Sequence, residues 1–238
     1  MGFESYDRAP EALETQNAAM SQNSFINRVF GWMTAGLALS GVVAYAVAQN
    51  VDLFIKVQKG MIVIFILELV VVIGLSAALR SISSTMATLG FLFFAALNGL
   101  TLSVIFVAYE PESLTATFFV TSGMFGAMGL YGWMTRRDLT GVGSFCFMGL
   151  IGLIIASIVS IFVSNPALYM AISVIGVLIF VGLTAYDMQK IKLLAAAVGG
   201  GEFDSETGRK AAVIGALQLY LDFVNLFLYL LRLFGRRR

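Results

Sequence analysis

Seven long apolar runs, separated mostly by short polar stretches, dominate the pattern of the chain. They cover about residues 30–49, 61–79, 86–108, 114–134, 142–163, 167–188 and 211–234. A helix needs about 20 apolar residues to cross the hydrocarbon core of a bilayer, which is close to the length of each run. The three prolines, at positions 10, 111 and 166, all lie outside the runs, as continuous helices require. The pattern therefore predicts an all-α membrane protein with seven transmembrane helices.

The segments outside these runs are polar. Residues 1–28 mix charges and amides and lack the basic start and short apolar core of a signal peptide. We therefore expect a mostly disordered, solvent-exposed arm, followed by a transmembrane domain over residues 29–235 and a basic tail at 236–238. The longest connection, residues 189–210, contains GGGEFDSETG and is typical of a flexible, solvated loop.

Basic residues predict how the chain is oriented. Seven spans place nine of them on the side of the N-terminus, namely Arg8, Arg28, Arg80, Arg136, Arg137, Lys190, Lys192, Arg209 and Lys210. The other six lie on the opposite side, which indicates a cytoplasmic N-terminus because cytoplasmic loops are enriched in lysine and arginine. A re-entrant last segment would change the counts to 13 and 2. Residues 216–234 contain no glycine or proline at which to turn, so we expect a full span.

Composition narrows the possible chemistry. The chain is 59% hydrophobic and 12% charged, and its net charge of +1 gives no basic surface for nucleic acid. It has no histidine and one cysteine, which excludes histidine-ligated zinc, Ser-His-Asp catalysis, a cysteine-based metal site and an intrachain disulfide. We expect no cofactor and no enzymatic activity. A proton-linked switch near neutral pH would have to use carboxylates.

Polar residues form a stripe along the last run. They recur every three or four positions, at Gly215, Gln218, Asp222, Asn225, Tyr229 and Arg232. This spacing places them on one helix face, which must contact protein or water rather than lipid. We therefore predict that the seventh helix is central and surrounded by the other six. Interhelical hydrogen bonding accounts for Gln218 and Asn225, but an ionised acid such as Asp222 is far more expensive to bury.

Further polar residues lie inside other runs: Glu68, Asn98 and Asp187. Burial of an acid at the centre of a spanning helix costs about 2.5–3.5 kcal/mol, so these acids need protons, cations or arginine partners. Asp187 and Asp222 could share one site. With a shared proton the pair would join two helices by hydrogen bonds, whereas deprotonation would create repulsion and a hard oxygen site suited to calcium.

Two further features bear on the proposed pairing of Asp187 with Asp222. Arg80, at the end of the second run, could neutralise the pair as a latch. If each run is centred on the middle of the bilayer, Asp187 and Asp222 lie roughly 14 Å apart in depth. Their pairing therefore requires helix tilt, an axial shift or different span limits.

Small residues predict close helix packing at Gly123, Gly126 and Gly129, and separately at Gly149 and Gly152.

The stretches GLTAYDMQKIK (182–192) and GALQLYLDFVNLFLYLLRLFG (215–235) resemble the Bax-inhibitor (transmembrane BAX inhibitor motif) family, on its bacterial side. The resemblance covers about residues 25–235 and implies a seven-helix fold that leaks calcium, in a pH-sensitive way, across the bacterial inner membrane. It implies that Asp187 and Asp222 are the pH sensor and gate and bind calcium, and that Arg80 is the nearest match to the latch. Glu68 and Arg232 match a family acid and arginine. Gln218, Asn225 and Asn98 are candidate pore or supporting residues.

Other functions remain open from the sequence. A membrane protein that regulates a stress pathway or a membrane protease by contact would need no transport, and a proton-coupled transporter would show saturable flux. Tyr186-Asp187 fits half of the intramembrane aspartyl protease pattern. The residues before Asp222 are not GxGD, however, and no PAL motif follows. The partners expected from the sequence are the lipid bilayer, calcium, protons and other membrane proteins.

Overall fold

The computed structural model describes residues 8–78, 81–163, 165–197 and 205–238, which form eight helices and no strand. The helices are α1 (Arg8–Ala48), α2 (Val51–Lys59), α3 (Met61–Ala78), α4 (Ser84–Ala108), α5 (Pro111–Met134), α6 (Thr140–Phe162), α7 (Pro166–Ala197) and α8 (Glu206–Phe234). All except α2 are long and apolar enough to cross a membrane. The predicted all-α membrane fold with seven spans is therefore confirmed.

Local capping residues explain where several helices begin. The hydroxyl of Ser83 accepts a hydrogen bond from the Met86 amide at 3.2 Å before α4, and Ser205 caps α8 in the same way. Pro111 occupies the first turn of α5, where no amide hydrogen is needed. The short helix α2 was not predicted from the apolar pattern because it is too short to span. Its N-cap is Asn50, whose side chain accepts from the Leu53 amide at 3.0 Å.

Two segments are more helical than predicted. Residues 8–28, expected to belong to a disordered arm, lie in α1, whereas residues 1–7 lie outside the described part of the chain. Alanine, glutamate and glutamine favour helix here, and the segment continues directly into the first span. Likewise, α7 extends to Ala197 rather than ending near residue 188, because Ile191 and Ala195 are buried against the bundle. The flexible loop predicted over 189–210 is wrong for residues 189–197, which lie in α7, and for residues 206–210, which lie in α8.

Helix α8 is the most buried span, with 61% of its apolar window inside the protein. It packs against α1, α4, α5 and α7. Helices α3 and α6 make their main contacts with α4 and α7 instead. The prediction that all six other spans surround α8 is therefore not confirmed.

Both ends of α8 meet the ends of α4. At the first end, the amide of Ser84 donates to the Glu206 carboxylate at 3.2 Å. At the other end the chain pairs with the connection between α4 and α5: Glu110 N donates to Arg236 O, and Arg238 N to Ala108 O, both at 3.0 Å. Helix α8 thus traverses the same length as α4, which agrees with a full span and not with a re-entrant segment. The basic tail at 236–238 is held by this backbone pairing, by a hydrogen bond from Arg236 N to Ser113 Oγ at 3.0 Å and by the Arg237 guanidinium over the Tyr109 ring.

Deletion of residues 236–238 is expected to lower the free energy of unfolding by at least about 1–3 kcal/mol, because two backbone hydrogen bonds are lost together with the Ser113 and Tyr109 contacts of the tail. Thermal unfolding in detergent and hydrogen exchange of the Glu110 amide would measure this. The double variant Arg236→Gln/Arg238→Gln keeps the backbone and should unfold like the wild type. If it lost as much stability as the deletion, charge rather than backbone pairing would hold the tail.

Candidate functional site

A cavity of about 840 Å³ lies between α6, α7 and α8. Its walls are apolar apart from one band of polar side chains that come from all three helices. These polar residues are Ser144, Tyr186, Asp187, Lys190, Gln218, Asp222, Asn225 and Tyr229. The two aspartates and most of the predicted polar stripe therefore line the same cavity.

The carboxyl groups of Asp187 and Asp222 lie within hydrogen-bonding contact of one another. Asp222 is 4% exposed, and its Oδ2 atom has no hydrogen-bond partner among the described residues. Asp187 is less buried and also lies in the electrostatic field of Lys190. The depth difference estimated from the sequence does not keep the pair apart, because α7 continues well past Asp187. A buried acceptor without a donor is a position that a proton or a cation can occupy.

The last turns of α7 are anchored to the end of α5 and to the connection between α5 and α6. Gln189 accepts a hydrogen bond from Leu139 N at 2.9 Å and donates to Arg137 O at 2.8 Å. Lys192 donates to Trp133 O at 2.6 Å, with its ammonium 5.6 Å from the centroid of the Trp133 ring. These contacts fix the register of Asp187. Neither Gln189 nor Lys192 was predicted as a site residue; Lys192 contributed only to the predicted orientation of the chain.

One acid in the same connection is exposed. The side chain of Thr140 donates to Asp138 Oδ1 at 2.6 Å and the Thr140 amide donates at 2.9 Å. These hydrogen bonds hold the pKa of Asp138 below its usual range. Asp138 therefore stays ionised near neutral pH and is not a second proton sensor.

Two glycines make room for the tyrosine rings beside the aspartates. A Cβ atom at Gly143 would lie 2.6 Å from the Tyr186 ring, and one at Gly176 would lie 2.7 Å from the Tyr229 ring. Both distances are shorter than packed carbon atoms allow, so only glycine permits these contacts. The two rings therefore pack closely on these glycines and line the same cavity as the pair.

The predicted stripe on α8 is divided in the structure. Gln218, Asp222, Asn225 and Tyr229 line the cavity. Gly215 packs instead against Val29 and Ile191, and Arg232 lies outside the cavity, 5.4 Å from the centroid of the Tyr229 ring. A spacing of three and four residues keeps side chains on one face only approximately, so a stripe of this length meets different neighbours at its two ends.

The remaining predicted polar residues line a second cavity, of about 630 Å³, between α3, α4 and α8. It contains Glu68, Asn98 and Arg232, and Asn225 lines both cavities. Glu68 accepts a hydrogen bond from the Thr101 hydroxyl at 2.7 Å. The structure therefore does not bring Glu68, Asn98 or Arg232 to the aspartate pair. Arg80, the predicted latch, lies outside the described residues.

Comparison with known proteins identifies the family. The family model described as "Inhibitor of apoptosis-promoting Bax1" (Bax1-I) matches residues 22–238. The chain belongs to the Bax1-I family. The resemblance seen in the sequence is thereby confirmed, and it extends over the whole seven-helix domain.

Relatives of this Bax1-I protein match along most of their length. The inner membrane protein YbhL of Escherichia coli K12 is 44% identical over 98% of this chain and 100% of the relative. An uncharacterized protein of Borreliella burgdorferi is 43% identical over 91% of this chain and 94% of its own. An uncharacterized protein of Caulobacter vibrioides is 41% identical, with 90% and 89% covered. The chain is thus similar in length and organisation to bacterial members of the family.

Proposed function

We propose that this Bax1-I protein is a pH-sensitive calcium leak channel in which Asp187 and Asp222 sense protons and gate the ion path. The observation that carries the proposal is the contact between the two carboxyl groups inside the cavity between α6, α7 and α8. The name of the Escherichia coli relative supports a bacterial inner-membrane location. The distribution of basic residues supports a cytoplasmic N-terminus.

Protons and calcium compete for the same oxygen atoms in this mechanism. A proton shared by the two carboxyls makes the pair less charged and links α7 to α8 by a hydrogen bond. Removal of the proton leaves two anionic groups that repel one another and attract a hard cation. The buried Oδ2 of Asp222, which has no partner in the part of the chain that the structure describes, supports such a site, because a bare carboxylate oxygen there needs a positive partner.

The rest of the cavity suits passage rather than storage of calcium. Calcium takes six to eight oxygen ligands, and two carboxylates with the amides of Gln218 and Asn225 supply only some of them, so water completes the shell. An incomplete protein shell binds weakly enough for an ion to leave. We propose that Asn225 connects this cavity to the second one, where Glu68, Asn98 and Arg232 line the continuation of the path.

A cation beside the ionised pair would offset its negative charge. We propose that Arg80 latches the ionised pair from the end of the second span. Among the described lining residues, Lys190 is the cation that shares the cavity with the pair. Its positive charge opposes entry of a second cation into the cavity.

Calcium flux from proteoliposomes loaded with a calcium dye tests the proposal. We expect the calcium flux of the wild type at pH values below neutral to differ from its flux at pH values above neutral, since protons and calcium bind the same carboxyl groups. Asp187→Asn and Asp222→Asn should each lower the flux by about tenfold or more, equivalent to about 1.4 kcal/mol, and remove its pH dependence. Glu112→Gln makes the same acid-to-amide change at an exposed position and should behave like the wild type.

Results other than these would favour one of the alternative functions. Unchanged flux in both aspartate variants would reject the gate. Absence of flux from vesicles that contain folded wild-type protein would favour a regulator that acts by contact. Cleavage of a transmembrane peptide by the wild type, lost in both variants, would favour the aspartyl protease, and saturable substrate-driven flux would favour a proton-coupled transporter.

A further inference from the structure

The short helix α2 (Val51–Lys59) is held at a membrane surface by its place in the chain. Two residues separate it from the end of α1, and Gly60 separates it from the start of α3. Both neighbours are spans, whereas nine helical residues cover only about 13 Å, too little to cross the hydrocarbon core. Helix α2 therefore stays at the level where α1 leaves the bilayer and α3 enters it. It contributes no residue to either cavity of the proposed calcium path.

Apolar side chains of α2 are exposed beside its contact with the bundle. The helix packs on α1, α3 and α4, and Val57 is buried. Val51, Leu53 and Ile55 nevertheless remain 70%, 41% and 44% accessible. Directly after α2, the first turn of α3 exposes Ile62, which meets acyl chains because it belongs to a span. The exposed apolar surface of α2 thus continues into a surface that lipid covers.

The opposite face of α2 is polar and basic. Asp52, Lys56 and Lys59 are exposed and follow one another at intervals of four and three residues, so they share one face. This face points away from the half-buried Phe54. Asp52 offsets one of the two positive charges of the lysines.

The whole end of the bundle that carries α2 is also positively charged. With seven alternating spans it receives six basic residues and three acids. The basic residues are Lys56, Lys59, Arg232, Arg236, Arg237 and Arg238, and the acids are Asp52, Glu110 and Glu112. A surface with this excess of positive charge attracts anionic lipid headgroups.

We propose that α2 lies in the membrane interface, with its exposed apolar side chains among the upper acyl chains and with Lys56 and Lys59 on the phosphate groups of anionic phospholipids. Amphipathic helices of this kind bury their apolar face about 5–10 Å into the boundary between headgroups and acyl chains. Lysine suits this position because its stem lies along apolar surface while its ammonium group stays among the headgroups. The lipid surface thereby holds the connection between α1 and α3 at a fixed depth.

Fluorescence quenching of the full-length protein in phosphatidylglycerol vesicles tests the depth of α2. Cys146→Ala leaves an introduced cysteine as the single labelling site for the fluorophore NBD. Nitroxide groups placed near the lipid headgroup should quench the label of Ile55→Cys at least about twofold more strongly than that of Asp52→Cys. Aqueous iodide should show the reverse order. Val51→Cys serves as a second apolar position if Ile55→Cys does not elute like the wild type on size-exclusion chromatography.

Two results of this experiment would overturn the interfacial position. Equal nitroxide quenching at the apolar and the polar positions would show that α2 does not lie with its apolar face in lipid. Protection of the label of Ile55→Cys from both nitroxide and iodide would show that protein, such as a second copy of the chain, covers this face.

A second arm tests the lysines and identifies the source of the phosphate. Nitroxide quenching of the label of Ile55→Cys should be stronger in phosphatidylglycerol than in phosphatidylcholine, which has a phosphate but no net charge. Lys56→Gln/Lys59→Gln should reduce this difference by about twofold or more, because basic residues strengthen binding to an anionic surface. Inorganic phosphate should leave the difference unchanged.

Arg136→Gln/Arg137→Gln is the matched control for the lysine variant. It removes two exposed basic residues from the connection between α5 and α6, at the other end of the bundle, and should keep the full difference between the two lipids. Equal responses of the two double variants, no difference between the lipids in the parent protein, or loss of the difference in inorganic phosphate would overturn the role of Lys56 and Lys59.

Discussion

Substitution of Gly132 by leucine is expected to separate α5 from α7 and to leave little folded protein after purification. A Cβ atom at Gly132 would overlap the backbone carbonyl of Ala185 and lie 3.0 Å from the Ala185 Cα atom. Overpacking against movable side chains costs about 1–3 kcal/mol. A helix backbone has no rotamer to change, so we expect a larger loss here, measured as aggregation on size-exclusion chromatography and a lower Tm.

Gly126 provides the control on the same helix. It is exposed, and no atom lies within 4 Å of a Cβ placed there, so Gly126→Leu should purify and unfold like the wild type. Equal damage in the two variants would show that leucine harms α5 itself rather than its contact with α7. Gly132→Ala introduces only the overlapping Cβ atom and should therefore also lower the Tm, but by less than Gly132→Leu, whose longer side chain adds further contacts.

Replacement of Tyr220 by alanine is expected to lower the free energy of unfolding by about 3–5 kcal/mol. Tyr220 is fully buried on α8, where its ring meets those of Phe91 and Phe94 edge to face at centroid distances of 5.7 and 6.0 Å. Its hydroxyl lies 2.6 Å from Ser40 Oγ and donates to Asn98 Oδ1 at 3.0 Å. One side chain thus links α8 to α1 and α4, and its removal leaves a cavity where three helices meet.

Unfolding titrations in detergent would measure this loss of stability. Two further variants separate the contribution of the hydroxyl from that of the ring, and a buried tyrosine from an exposed one. Tyr220→Phe keeps the ring and should lose about 1–3 kcal/mol, the cost of leaving buried partners unsatisfied. Tyr131→Ala removes an exposed ring, 46% accessible, and should change stability by less than about 0.5 kcal/mol. Similar losses for Tyr220→Ala and Tyr131→Ala would contradict the packing role of Tyr220.

The glycines show that spacing in the sequence does not suffice to predict close helix contacts. Gly123, Gly126 and Gly129 share the spacing of a close helix contact, yet no atom lies within 4 Å of a Cβ at any of them. The prediction of close packing is therefore wrong at Gly123 and Gly126, and Gly129 is buried without such a contact. Gly149 does face Ile179, with a Cβ distance of 2.9 Å, whereas no atom lies within 4 Å of a Cβ at Gly152. Periodicity reports which residues share a face, but not whether that face meets a helix or lipid.

The aspartate site likewise combines one feature that the sequence indicates with one that it does not. The polar spacing on α8 correctly indicated that Asp222 faces protein, because a charged group on the lipid side would be too costly. The contact with Asp187 depended on the extension of α7 to Ala197, which Gln189 and Lys192 anchor through distant carbonyl and amide groups. Those contacts join residues about fifty positions apart, and no local pattern encodes them.

The sequence by itself determined that the chain is all-α and crosses the membrane seven times. In hydrocarbon every backbone group must be paired within its own segment, so the length and polarity of each run suffice to define a span. Only the tertiary structure decided that α8 packs on α1, α4, α5 and α7, and that Arg232 leaves the cavity that Asp222 lines. These features depend on which helix faces fit together, and that choice is made by close packing between segments that are far apart in the chain.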